Sequence, residues 1–132
     1  MPPAVQSLDH LVLTVHDPDA TVQFYQTVLG MRAERFVPTD GSTRMALKFG
    51  SQKINLHKAG AEFEPKSDTP TPGSADLCFL TDTPLDIWRD HLSGQGIPVE
   101  QGPVPRTGAT GPILSIYIRD PDQNLIEISV LI

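Results

Sequence analysis

From residue 8 to residue 16 apolar and polar positions alternate. Leu11, Leu13 and Val15 share one side, and His10, Val12, Thr14 and His16 share the other, the period-two spacing of a half-buried strand. After Asp17-Pro18-Asp19 the period changes. Val22, Tyr25, Val28 and Leu29 recur at helical intervals, which predicts an amphipathic helix with Asp19 as N-cap and Gly30 just past its end. Strand-like segments follow at 31–37, 43–49 and 53–58.

The same plan then repeats. A strand is expected over 75–80. A second helix has Thr83 as N-cap, Pro84 at its first position, Leu85, Trp88 and Leu92 as its buried stripe and Gly94 at its close. Three further strands are expected at 99–100, 113–119 and 125–130. The order is therefore βαβββ twice: module one over 7–58, a proline- and glycine-rich linker over 59–74, and module two over 75–131. In this repeat His10 matches Asp76, and Ile54-Asn55-Leu56 aligns with Ile126-Glu127-Ile128. The expected fold class is α+β, two βαβββ modules forming curved mixed sheets around a cleft with the helices outside.

The strand faces away from the helices then collect polar groups: His10, Asn55, His57, Asp76, Ser115, Tyr117, Arg119, Glu127 and Ser129. Such groups on one strand describe a solvated face. Their recurrence at matching places on five strands describes a site.

Composition narrows the class. The 132 residues suit one domain, and 39% apolar with 20% charged is ordinary for a globular chain. A net charge of −6 with scattered basic residues leaves no nucleic-acid footprint. No apolar run nears the roughly 20 residues of a membrane helix, and residues 1–6 lack the features of a signal peptide. One cysteine, Cys78, forms no internal disulfide. The expectation is a cytoplasmic protein with no nucleic-acid or membrane partner. The 13 prolines fall mainly between periodic segments and read as loop stiffeners.

The opening Leu8-Asp9-His10-Leu11-Val12-Leu13-Thr14-Val15, with Phe24-Tyr25 and Val28-Leu29-Gly30-Met31, resembles the start of glyoxalase and fosfomycin-resistance domains. Ser115-Ile116-Tyr117-Ile118-Arg119-Asp120-Pro121-Asp122-Gln123-Asn124-Leu125-Ile126-Glu127 resembles their closing strand, hairpin and strand. The chain is thus similar to the vicinal oxygen chelate superfamily of glyoxalases, fosfomycin-resistance proteins and extradiol dioxygenases. The segments Gln52-Lys53-Ile54-Asn55-Leu56-His57, Glu62-Phe63-Glu64-Pro65-Lys66 and Arg106-Thr107-Gly108-Ala109-Thr110-Gly111-Pro112-Ile113 also resemble the group called glyoxalase domain-containing protein 5.

The resemblance implies a divalent metal, Zn, Ni, Mn or Fe, at His10, Asn55, Asp76 and Glu127. Asn is a poor ligand and Asp76 is shorter than the usual fifth-strand residue, so the shell expected here is His10, His57, Asp76 and Glu127. Glu127 or Asp76 would act as the catalytic base. Asn55, Arg106, Ser115, Tyr117 and Arg119 would contact the substrate, with Arg106 opening a loop whose backbone donors could surround an anion.

The activities implied are a glyoxalase-like lyase or isomerase with a small oxygenated substrate and a thiol cosubstrate such as glutathione, a resistance transferase or ring-cleaving dioxygenase, or a metal-free drug-binding protein of the bleomycin-resistance kind. Asp76 weakens the two-histidine dioxygenase triad, and 6% aromatic residues offer little for a drug cleft. The lyase class is therefore preferred. Small members pair, so a C2 homodimer is expected, each site joining His10 of one subunit to Asp76 and Glu127 of the other.

Overall fold

The first alternation becomes β1 (His10–Val15), followed by α1 (Pro18–Thr27), β2 (Arg32–Phe36), β3 (Arg44–Phe49) and β4 (Gln52–Lys58). The second half gives β5 (Asp76–Leu80), α2 (Leu85–Gly94), β6 (Gln101–Thr107), β7 (Pro112–Arg119) and β8 (Leu125–Leu131). The coordinates, a computed structural model, describe residues 2–132. The chain divides between Thr71 and Pro72 into two compact units, one for each βαβββ pass.

Each unit holds one mixed four-stranded sheet, ordered β1-β4-β3-β2 in the first and β5-β8-β7-β6 in the second. The outer pairs β1–β4 and β5–β8 are parallel, and the remaining pairs are antiparallel. The helix of each unit carries the chain from the first strand at one edge of its sheet to the next strand at the other edge, β1 to β2 and β5 to β6.

In unit 1 the apolar faces of the strands close over α1. Leu13, Val15, Tyr25, Val28, Leu47, Ile54 and Leu56 are buried, each contributing about 1.5–3 kcal/mol relative to exposure. In unit 2 Leu85, Leu92, Ile116, Ile118, Ile126 and Ile128 form the equivalent core. Val22 and Trp88, expected in the buried stripes, are half-buried. Trp88 keeps its ring N–H at the surface of the core by donating to Thr81 Oγ1 at 3.1 Å.

Three boundaries differ from expectation, each for a local reason. Asp17, not Asp19, caps α1: its Oδ1 accepts from the backbone N–H of Asp19 and Ala20 at 3.1 and 3.3 Å, with Pro18 at the first helical position. The N-cap of α2 is Pro84, without a side-chain bond. Gly94 is the last residue of α2, and Gly96 at φ 71° makes the left-handed closure, with Ile97 N–H donating to Leu92 O at 2.9 Å.

The sixth strand lies at Gln101–Thr107 rather than at 99–100. Its bulge between Gln101 and Val104 places Gly102 at φ 109°, against β7. A Cβ there would lie 2.3 Å from Ser115 O, so only glycine fits. The β7–β8 turn is held by buried Asp120, which accepts from the N–H groups of Asp122 and Asn124 and from the Asn124 amide at 2.8–2.9 Å. Asn124 Oδ1 in turn accepts from Ala75 N–H at 2.9 Å and anchors the start of β5.

Candidate functional site

The strand registers of the two units coincide. In unit 1 His10 lies opposite Lys53 and Val12 opposite Asn55. In unit 2 Asp76 lies opposite Leu125 and Cys78 opposite Glu127. In each unit the first-strand candidate therefore sits two residues, roughly 6.6 Å along the strand, from the last-strand candidate and on the same face. His10 with Asn55, and Asp76 with Glu127, are equivalent pairs.

His57 falls outside this pairing. It lies opposite Thr14, four residues from the level of His10 and thus roughly 13 Å along the ladder. It is 5% exposed and packs edge-on against Phe63, with ring centroids 5.3 Å apart. Burial lowers its pKa, the Arg44 charge lowers it further, and Glu62 opposes. The register thus sets His57 apart from His10 along the ladder, whereas Asn55 lies nearer to His10.

His10 is exposed at the start of β1, and its Nδ1 lies 2.8 Å from Asp9 Oδ2. That contact pulls the Asp9 pKa down. It also favours the tautomer with its lone pair on Nε2, the usual arrangement behind a ligating histidine. Asn55 Oδ1 is buried and has no hydrogen-bond partner, a cost of about 1–3 kcal/mol that a cation or an incoming donor would relieve.

In unit 2 the centre is a short hydrogen-bonded chain. Fully buried Ser115 donates to Glu127 Oε2 at 2.5 Å and lies 2.7 Å from Ser129 Oγ. Ser129 reaches Cys78 Sγ at 3.3 Å. Burial raises the Cys78 pKa, the Ser129 contact opposes, and Glu127 and Asp76 raise it further, so the thiol stays protonated.

Beside this chain opens a recess of about 400 Å³. Cys78, Leu80, Ile113 and Leu131 form its walls, Arg106 to Thr110 its rim, and Glu127 faces it. Apolar walls with one carboxylate and one guanidinium suit a small polar molecule with an apolar body.

Two substrate contacts expected from the sequence prove to be occupied within the fold. Ser115 serves Glu127 and does not line the recess. Arg119 donates through Nε and Nη2 to Glu100 at 3.0 and 3.1 Å and through Nη1 to Gln123 O at 3.2 Å. Arg106 does reach the recess. Its Nε donates to Tyr117 Oη at 2.9 Å and Nη1 to Pro105 O at 3.0 Å, leaving Nη2 for a ligand. The turn after it does not cradle an anion through Gly108, whose N–H donates to Gly111 O at 2.9 Å. Asp76 is exposed at the start of β5, close enough to Arg119 to raise the guanidinium pKa after the larger effects of Glu100.

Among the described residues no three His, Cys, Asp or Glu side chains gather as a metal-holding group. The donors fall into two half-shells, an imidazole with an amide on unit 1 and two carboxylates on unit 2. The imidazole and the two carboxylates suit a divalent ion, the Asn55 amide is the weaker donor, and neither pair completes a shell alone.

The paired βαβββ plan and this donor placement define a class, and comparison with known proteins gives the family. The sequence profile of the Glyoxalase/Bleomycin resistance protein/Dioxygenase superfamily matches residues 7–128, and the chain belongs to this superfamily. It is 59% identical over 126 residues to glyoxalase domain-containing protein RDO1 of Mycosarcoma maydis, covering 96% of this chain and 69% of that protein. It is 57% identical over 125 residues to virulence protein STM3117 of Salmonella typhimurium, covering 95% and 84%. The crystal structure of that protein superposes with a TM-score of 0.90 at 53% identity, over 98% of this chain and 100% of that one. An integron cassette protein from V. cholerae superposes at 0.92, with 54% identity over 98% of both chains.

More distantly, a lactoylglutathione lyase from Agrobacterium tumefaciens is 27% identical, with a TM-score of 0.68 over 98% and 95% of the two chains. An antibiotic binding protein from Streptomyces (22%, TM-score 0.75, 99% and 100% covered) and a fosfomycin resistance protein from Mesorhizobium loti (16%, 0.62, 96% and 93%) share the fold alone. No helix among the described residues is long and apolar enough to cross a membrane.

Proposed function

We propose that the chain is a metal-dependent enzyme of the glyoxalase type, a lyase or isomerase acting on a small oxygenated substrate. The observation that carries this reading is the coincident register of His10 with Asn55 and of Asp76 with Glu127. These four side chains would hold the ion, first-half donors from one chain meeting second-half donors from its partner in a C2 homodimer. Held by these residues, a divalent ion would supply Lewis acidity to neighbouring substrate oxygens.

The remaining chemistry belongs to the chain. Ser115 fixes Glu127 Oε2, which leaves Oε1 to take or return a proton in the recess that Glu127 lines. Arg106, steadied by Tyr117, would bind an anionic group, such as a carboxylate of a thiol cosubstrate. The lyase of A. tumefaciens, similar over nearly the whole chain, supports the reaction class.

The direct test is turnover of the hemithioacetal of methylglyoxal and glutathione by protein loaded with Zn, Ni, Mn or Fe. The reading expects a rate that chelation abolishes and that Glu127→Gln lowers by about a hundredfold or more. No turnover with any of the four ions would contradict it.

A metal-free binding role is the second reading. It is favoured by the lack, among the described residues, of any three-donor group. It expects ligand affinity that survives chelation.

A further inference from the structure

A second recess lies in unit 1, on the sheet face that also carries His10 and Asn55. Its volume is about 460 Å³, and its walls come from two places: Val12, Thr14 and His57 on β1 and β4, and Pro65, Lys66, Ser67 and Pro70 on the segment after β4. Val12 and Thr14 hold the same register positions in unit 1 as Cys78 and Leu80 in unit 2, so each unit opens a recess at the equivalent place. Residues 62–66 lie outside the βαβββ plan, yet this segment forms the outer wall through Pro65 and Lys66 and backs His57 with Phe63.

The lining has a consistent chemistry. Val12, Pro65 and Pro70 supply the apolar part of the lining. The Lys66 ammonium, the Ser67 and Thr14 hydroxyls and one His57 ring nitrogen all offer hydrogen-bond donors. Arg44 lies behind them, with its guanidinium carbon 4.0 Å from the centroid of the Phe63 ring. Lys66 already meets the carboxylate of Glu64, which shows how a carboxylate is received at this rim. The groups that face His57 electrostatically are Arg44 and Glu62, and burial with Arg44 keeps the imidazole neutral.

We propose that this recess binds a small organic carboxylate with a compact apolar body, held through Lys66, Ser67 and His57 without a metal. The carboxylate replaces Glu64 at the ammonium and takes the hydroxyl and imidazole donors, while its apolar body lies on Val12, Pro65 and Pro70. The carboxylate would sit beside the His10 and Asn55 pair of the enzymatic reading, but its binding needs no metal.

The test is an NMR titration of chelator-dialysed full chain with isobutyrate, in parallel with neutral isobutyramide, following the Val12 and Thr14 methyls and the His57 ring. Saturable shifts at all three are expected. Isobutyramide and the Lys66→Gln variant should each bind about tenfold more weakly, from loss of one charge-assisted hydrogen bond. Glu64→Gln, which removes the competing carboxylate, should bind more tightly. Lys66 is exposed, so its variant folds and the comparison stands. Equal binding of the amide, undiminished binding by Lys66→Gln, or shifts confined to Leu80 and Leu131 of unit 2 would overturn the proposal. Because the metal has been removed, the result is independent of whether the metal site exists.

Discussion

The hydroxyl of Ser115 has two neighbours, Glu127 and Ser129, and no access to solvent. Ser115→Ala would leave the Glu127 carboxylate without its shortest donor. We expect a loss of about 1–3 kcal/mol in urea unfolding with an unchanged slope. Ser129→Ala should cost less, because its own contact with Glu127 is 3.5 Å.

His57 gives a pH signature at the same scale. Its folded pKa lies below the ordinary 6.5, so between the two values the unfolded chain binds more protons. Stability therefore rises with pH through that window and is lost as pH falls from 6.5 towards the folded value. The difference in stability between wild type and His57→Gln, measured across this range, should carry that slope, and a pH-independent difference would contradict it. Alternation alone placed His10 with Asn55, and Asp76 with Glu127, on shared strand faces. The distance between His10 and His57 was not legible, because it depends on how β4 registers against β1 and not on the spacing within β4. The partner of Ser115 depends in the same way on the β7–β8 pairing.

Elements with clean alternation were legible to within a few residues, as β1, β4, β7 and β8 show. β6 was not, because Gly102, Pro103 and Pro105 interrupt it. Proline removes a ladder donor and is tolerated at a sheet edge, where β6 lies, so the sequence of a real edge strand reads as a loop. The bulge then depends on Gly102. Gly102→Ala should destabilise unit 2 by about 2–4 kcal/mol through the clash with Ser115 O and the positive φ, seen as a lowered urea midpoint. At the other end of β7, Asp120→Ala removes three hydrogen bonds that hold the turn and, through Asn124, the start of β5. A cost of about 3 kcal/mol is expected from the same measurement.

For the whole molecule, the repeat was legible as two passes of one pattern, and the structure adds the shared register that sets His10 with Asn55 and Asp76 with Glu127 at equivalent places. The proposed dimer would bring one such pair from each chain together. Gel filtration should give about twice the 14.4 kDa of one chain. His10→Ala and Glu127→Ala variants, each unable to hold metal, should recover about a quarter of the sites when mixed and allowed to exchange subunits, since half the dimers formed are mixed and each contains one intact site. No recovery despite exchange would place each site within one chain.

The central claim is that His10 and Glu127 hold one divalent ion, and elemental analysis of the dialysed protein beside His10→Ala and Glu127→Ala tests it most directly. The account predicts near-stoichiometric metal in the wild type and loss of it in both variants. A wild type that stays metal-free after loading with Zn, Ni, Mn and Fe would contradict it.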